Sequence, residues 1–129
     1  MSTNPNILSF VSAEAITEYA VVSMNNAGKI VITDAATDNK VVGVAQRACA
    51  NGDAVEVLVH GITRIIASEA LDETTPILSA ATDGKLQPCE VTDTTFYPIA
   101  RLLPNINQTQ VNADEQGLVY FFGPNSLNT

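Results

Sequence analysis

Residues 40–61, KVVGVAQRACANGDAVEVLVHG, commit the chain to β-structure more firmly than any other stretch. Two β-branched runs, residues 41–45 and 55–59, flank Asn51, Gly52 and Asp53, residue types that tolerate the positive φ of a tight turn. In the second run Val55, Val57 and Val59 alternate with Glu56, Leu58 and His60, the period of a strand with one buried face. The spacing predicts a β-hairpin. It holds no nucleophile beside a base, no ligands at metal spacing and no phosphate loop, which points to binding rather than chemistry.

The rest of the chain repeats this grammar. Apolar residues 16–24 end at Asn25-Asn26-Ala27-Gly28, a turn that leads into residues 29–33. Gly61 separates the hairpin from residues 62–67, whose TRII segment has strand composition and no helical stripe. Residues 69–75 are acidic and read as one short helical turn before Pro76 and a strand at 77–79. Thr82-Asp83-Gly84-Lys85 is another turn, followed by Leu86, Val91, an apolar run at 96–103 and a last strand at 118–122. Short strands at this spacing predict an all-β fold, a small β-barrel or β-sandwich-like single domain. A chain of 129 residues is long enough to bury a core, and 46% hydrophobic against 16% charged residues suits a folded domain. The division we expect is an extended N-terminal arm over residues 1–12 and a β-domain over 13–129. Within that domain the Asn/Gln-rich residues 105–117 read as a solvated insertion.

Charge narrows the partners. Fourteen acidic against six basic side chains give a formal net charge of −8. That field disfavours direct contact with nucleic acid or anionic membrane, where affinity rests on Lys and Arg meeting phosphate. The first basic residue is Lys29 and no apolar run approaches the ~20 residues of a bilayer span, so neither a signal peptide nor an anchor is expected. Cys49 and Cys89 lie in different segments, and reduced thiols are the expectation for a protein made in a cytoplasm. Asn107-Gln108-Thr109 matches a glycosylation acceptor, which means little without secretion.

Catalytic constellations are missing. His60 is the lone histidine and reads as a surface or structural residue. Cys49, His60 and Cys89 lack zinc spacing, and Asp34 and Asp38 fit no EF-hand loop. Asp72-Glu73 reads as a solvated acidic tip, and no serine sits in G-x-S-x-G. No cofactor and no enzymatic activity are expected.

A faint internal echo is present. Gly28-Lys29-Ile30 and Gly84-Lys85-Leu86 each open a strand after a turn, and Lys29 to Gly43 (43 − 29 = 14) matches Lys85 to Ile99 (99 − 85 = 14). Two similar β-units with different trims are one reading of it.

Residues 20–61, from AVVSMNNAGKIVITD through KVVGVAQRACANGDAVEVLVHG, resemble the small capsid decoration (cement) proteins of tailed bacteriophages. The family pattern of apolar strand, GK, polar loop, VVGVA, small turn, V-x-V and G corresponds here to Val21-Val22, Gly28-Lys29, residues 41–45, Asn51-Gly52-Asp53, residues 55–59 and Gly61. TDGK at 82–85 and PIARLL at 98–103 extend the resemblance over about residues 14–103, with Ile99 standing where relatives tend to carry glycine.

The resemblance implies a β-barrel-like virion structural protein on the outer capsid surface, made in the host cytoplasm and commonly trimeric. It implies binding to the phage major capsid protein and stabilisation of the expanded lattice. A tail or head–tail component, or a small β-barrel enzyme or ligand-binding domain around His60, are the alternatives. Residues 2–12 are expected to be a capsid-gripping arm anchored by Ile7, Leu8, Phe10 and Val11, whose deletion leaves the β-domain folded. Ile62, Ile65, Phe96 and Leu102 are the expected trimer seam.

Overall fold

The computed structural model describes residues 6–90, 92–104 and 110–124. Its strands are β1 (Ile7–Val11), β2 (Val21–Met24), β3 (Ile30–Ile32), β4 (Val41–Ala45), β5 (Ala54–Leu58), β6 (Gly61–Ile66), β7 (Leu71–Asp72), β8 (Ile77–Ala80), β9 (Leu86–Pro88), β10 (Pro98–Leu102), β11 (Gln110–Val111) and β12 (Gln116–Phe121). They form two five-stranded antiparallel sheets, ordered β1-β5-β4-β2-β3 and β6-β12-β10-β8-β9, with a small β11-β7 pair beside them. The fold is all-β, as the strand spacing predicts. The hairpin is real: Val44 pairs with Leu58 and Ala45 with Val57. Its connecting turn closes through the Asp53 N–H on the Ala50 carbonyl at 3.1 Å, and Gly52 takes the required positive φ of 90°.

Alternation along each strand splits the first sheet into two apolar faces. Val22, Ala45, Val55 and Val57 form one cluster with Ile16 and Ala20 of the preceding loop. Val21, Val41, Val44 and Leu58 join the larger cluster, whose other buried members come from the second half, including Ile65, Leu78, Val119 and the fully buried Phe121. Each such Val or Leu contributes about 1.5–3 kcal/mol by leaving water. The buried hydroxyls of Ser12, Ser23 and Thr33 are satisfied, whereas that of Ser79 has no hydrogen-bond partner among the described residues. Ser23 Oγ lies 2.6 Å from Thr33 Oγ1 and donates to Asp38 Oδ2 at 2.7 Å, while Ser12 Oγ donates to the carbonyls of Ala50 and Asp53.

The two sheets are built on one plan. The register Ile7–Leu58, Leu58–Val44, Val44–Val21 in the first sheet recurs as Ile62–Tyr120, Tyr120–Arg101, Arg101–Ile77 in the second. Val22–Ile32 and Ser23–Val31 recur as Leu78–Pro88 and Ser79–Gln87. The lone bridges Ser12–Ile30 and Ile16–Cys49 recur as the bridge Ala67–Leu86 and the pair Leu71–Val111. Even the β-bulge repeats, skipping Val42 on β4 and Ile99 on β10. The internal echo is therefore a structural duplication, with one correction: Ile99 corresponds to Val42, and Ala100 is the residue that corresponds to Gly43. One edge detail shows how each copy solves the same problem. The Ile32 N–H, on the last strand of the first sheet, is covered by Glu14 Oε2 at 2.8 Å, and Pro88 at the equivalent place has no N–H to cover.

Three expectations change. Residues 7–11 are not an arm outside the β-domain. They are β1, paired with β5 over Ile7–Leu58 through Val11–Ala54, because the apolar side chains of Ile7 and Phe10 pack on the two clusters from one strand. Residues 69–75 form the short strand β7 and an Asx turn, with Asp72 Oδ1 accepting from the Thr74 N–H, in place of a helical turn. The insertion contributes β11, which pairs with β7, and its Asp114 holds Lys85 Nζ at 2.6 Å, so its later part is built into the domain. The earlier part of that insertion, the glycosylation match at 107–109, Val91 and residues 2–5 of the expected arm lie outside the described residues.

Candidate functional site

Two surfaces carry unspent binding capacity. The first is the outer edge of β1, which ends the first sheet. The Val59 N–H bonds the Asn6 carbonyl and the Ser12 N–H bonds the Asp53 carbonyl, so even-numbered residues direct their backbone groups at β5. By alternation the N–H and C=O groups of Ile7 and Ser9 and the N–H of Val11 face away from β5, while beyond them Ser12 bridges Ile30 of β3 and the Ala13 N–H bonds the Ile30 carbonyl. Among the described residues no strand pairs with the edge over Ile7–Ser9, and β3 meets it only at its far end. Leu8 and Val11 are 49% and 44% exposed beside that edge, and Ile7 and Phe10 are half-buried. All four residues expected to grip a partner thus sit on one strand, two of them turned partly into the fold.

The second surface is the outer face of the second sheet. Register places Ile62, Tyr120, Arg101 and Ile77 in one row across β6, β12, β10 and β8. Arg64, Leu118 and Leu103 form the next, since Arg64 pairs with Leu118 and the Leu103 N–H bonds the Leu118 carbonyl. His60 closes one end: Tyr120 Oη lies 2.9 Å from its Nε2, their rings meet edge to face at 5.2 Å, and Phe122 follows at 6.5 Å from Tyr120. A solvated sheet face is ordinarily polar, and this one is largely apolar.

Of the expected seam residues, only Ile62 stands out on this face, 62% exposed. Ile65 is corrected: it is fully buried, because strand alternation turns it opposite to Ile62 and Arg64. Leu102 is half-buried against the core cluster, and half-buried Phe96 lies in the turn before β10. Sequence reading missed Tyr120, Arg101 and Leu118. The available signal was the unbroken apolar run 118–122, which has no polar face to give to water.

No group of three or more His, Cys, Asp or Glu side chains could hold a metal among the described residues. No helix among them is long and apolar enough to cross a membrane. Cys49 and Cys89 are free thiols. Burial pushes the Cys89 thiol above its ordinary range, and Asp93 and Glu90 add to that, while the side chain is only 6% exposed. Since the thiolate is the reactive form, Cys89 in native protein is expected to be alkylated by iodoacetamide at least ~10-fold more slowly than in guanidine-unfolded protein. Peptide mass spectrometry over a time course checks this, and equal rates would disprove the burial.

No family model and no curated protein matches the chain. Among solved structures it is similar to the N base of the head fiber gp8.5 of bacteriophage phi29. The match has 14% sequence identity and a TM-score of 0.63, covering 93% of this chain and 97% of that one. At that identity the likeness establishes a shared fold.

Proposed function

We propose that this protein is a bacteriophage virion structural protein, a capsid decoration protein that binds the outer surface of the expanded head. The observation that carries the reading is the fold shared, over nearly all of both chains, with the base of a phage head fiber. The family resemblance of residues 14–103 points the same way, and the surfaces described above are suited to contact rather than chemistry. Its partner is the phage major capsid protein, and it works as a homotrimer without cofactor, catalysis, nucleic acid or membrane. The open edge of β1 is the grip: a strand from the shell adds there, with Leu8 and Val11 in its pockets. Binding only the closed lattice stabilises that lattice by mass action, and three linked grips make modest contacts firm.

Mixing purified protein with expanded, undecorated heads and sedimenting them tests this. Saturable co-sedimentation is expected, undiminished within about threefold by His60→Gln. Absence of co-sedimentation at saturating protein would overturn the reading.

A further inference from the structure

The duplication makes the exposed face of the second sheet comparable with its counterpart. In the first half the row Ile7, Leu58, Val44 and Val21 is largely buried, its last three members inside the cluster shared with the second half. In the second half the corresponding row, Ile62, Tyr120, Arg101 and Ile77, faces outward. One copy of this face is used to join the halves and the other is left open.

The row beside it sharpens the contrast. Ser9, Glu56 and Gln46 in the first half are polar and meet solvent, as a row at the rim of a contact should. Their counterparts are Arg64, Leu118 and Leu103. In this second row the free face is thus more apolar than the outer edge of the occupied one. Where equivalent units stack, each contacts only its neighbours and a terminal face that ends the stack is polar. This face does not end a stack.

Its charge is also out of keeping with the chain. Arg64 and Arg101 are exposed, and neither has an ion-pair partner among the described residues, whereas Arg47 is paired with Glu56 and Lys85 with Asp114. Two free guanidiniums on an apolar face, in a chain of net charge −8, suit a surface rich in carboxylates. Every other copy of the chain offers one.

We propose that the outer face of the second sheet docks head to tail on the first half of a second copy of this chain, repeating between molecules the contact that joins the halves within one. The contact is heterologous, since a two-fold pairing of this face with itself would set Arg64 and Arg101 against their own copies. A heterologous contact that closes makes a ring, and closure at three chains gives the homotrimer of the functional reading; only that number rests on it. Self-association through this face requires no shell.

The test uses the full chain in free solution. A benzophenone amino acid at position 62, an exposed site, is expected on irradiation to join two chains, with the adduct mapping to the first half of the neighbour. Sedimentation velocity over a concentration series should show reversible association. Ile62→Asp and Arg101→Glu should each weaken it at least about tenfold. Both variants should keep the wild-type circular dichroism and melting temperature, because both side chains are exposed. A protein that stays monomeric at ~1 mM overturns the proposal, as does an adduct to the second-sheet face of the other copy. An adduct formed only with shell protein, when heads are added, overturns it too but leaves the decoration reading standing. Loss of head binding with self-association intact would do the reverse.

Discussion

Gly43→Ala is expected to lower the melting temperature by roughly 10 °C or more. A Cβ at position 43 would stand 2.2 Å from the Leu58 carbonyl oxygen and 2.7 Å from Val57 Cγ1. The first of these is backbone of the paired strand β5, which cannot swing aside without breaking the Val44–Leu58 and Ala45–Val57 ladder. Overpacking of this kind costs about 3 kcal/mol or more, and at this length each kcal/mol moves the transition by about 3–5 °C. Gly52→Ala separates steric exclusion from loss of glycine's freedom. Gly52 has φ of 90° with open space where a Cβ would go, so its replacement should cost only about 1–2 kcal/mol. Thermal melts of the two variants side by side decide it, and a Gly43→Ala melt no lower than that of Gly52→Ala would refute the close approach. Ala100 carries a methyl at the corresponding place in the second sheet. The exclusion at Gly43 is therefore set by how near β5 comes, and the topology alone does not demand it.

How far the sequence discloses this fold follows from which forces act locally. The strands were legible because β-branched runs and Gly/Asn/Asp turns encode extended chain and reversal within a few residues, as at 41–45 and 51–53. Sheet order was not, because pairing β1 with β5 and β6 with β12 is decided by long-range closure. The duplication was visible only as GK at two places, since its signature lies in register and in the bulges at Val42 and Ile99, which place no demand on residue identity. That bulge residue is also why a fixed spacing of 14 aligned Gly43 with Ile99 rather than with Ala100. The arm was misread for a related reason. ILSFV has apolar side chains on both faces, which fits a strand waiting for a partner sheet and equally a strand already placed between two clusters. Of the expected interaction residues, Ile62, Leu8 and Val11 are exposed, while Ile65 sits on the opposite parity of its strand; period two fixes which residues share a face but leaves open which face is inside.

Deletion of residues 2–12 is expected to disrupt the first sheet rather than to trim a tail. It strips β5 of its partner over Ile7–Leu58 through Val11–Ala54 and uncovers Val55 and Val57, both fully buried. It also removes the Ser12 hydroxyl that closes the 50–53 turn through the carbonyls of Ala50 and Asp53. A new edge flanked by buried valines invites pairing between molecules, so the truncated chain should aggregate or melt at least ~10 °C below wild type. A soluble truncation with unchanged circular dichroism and melting point would show that β1 is dispensable to the fold. The grip is therefore tested without deletion. Ser9→Pro removes a backbone N–H that faces the open edge and no bond to β5, and proline is tolerated in strands at such a position. Combined with Leu8→Ser and Val11→Ser, both replacing side chains about half exposed, it should leave the melting temperature within about 5 °C of wild type. Head binding in the sedimentation assay should fall at least about tenfold, since strand addition would lose one backbone bond and both anchors. If that variant still occupies heads like the wild type, the shell is held by some surface other than β1.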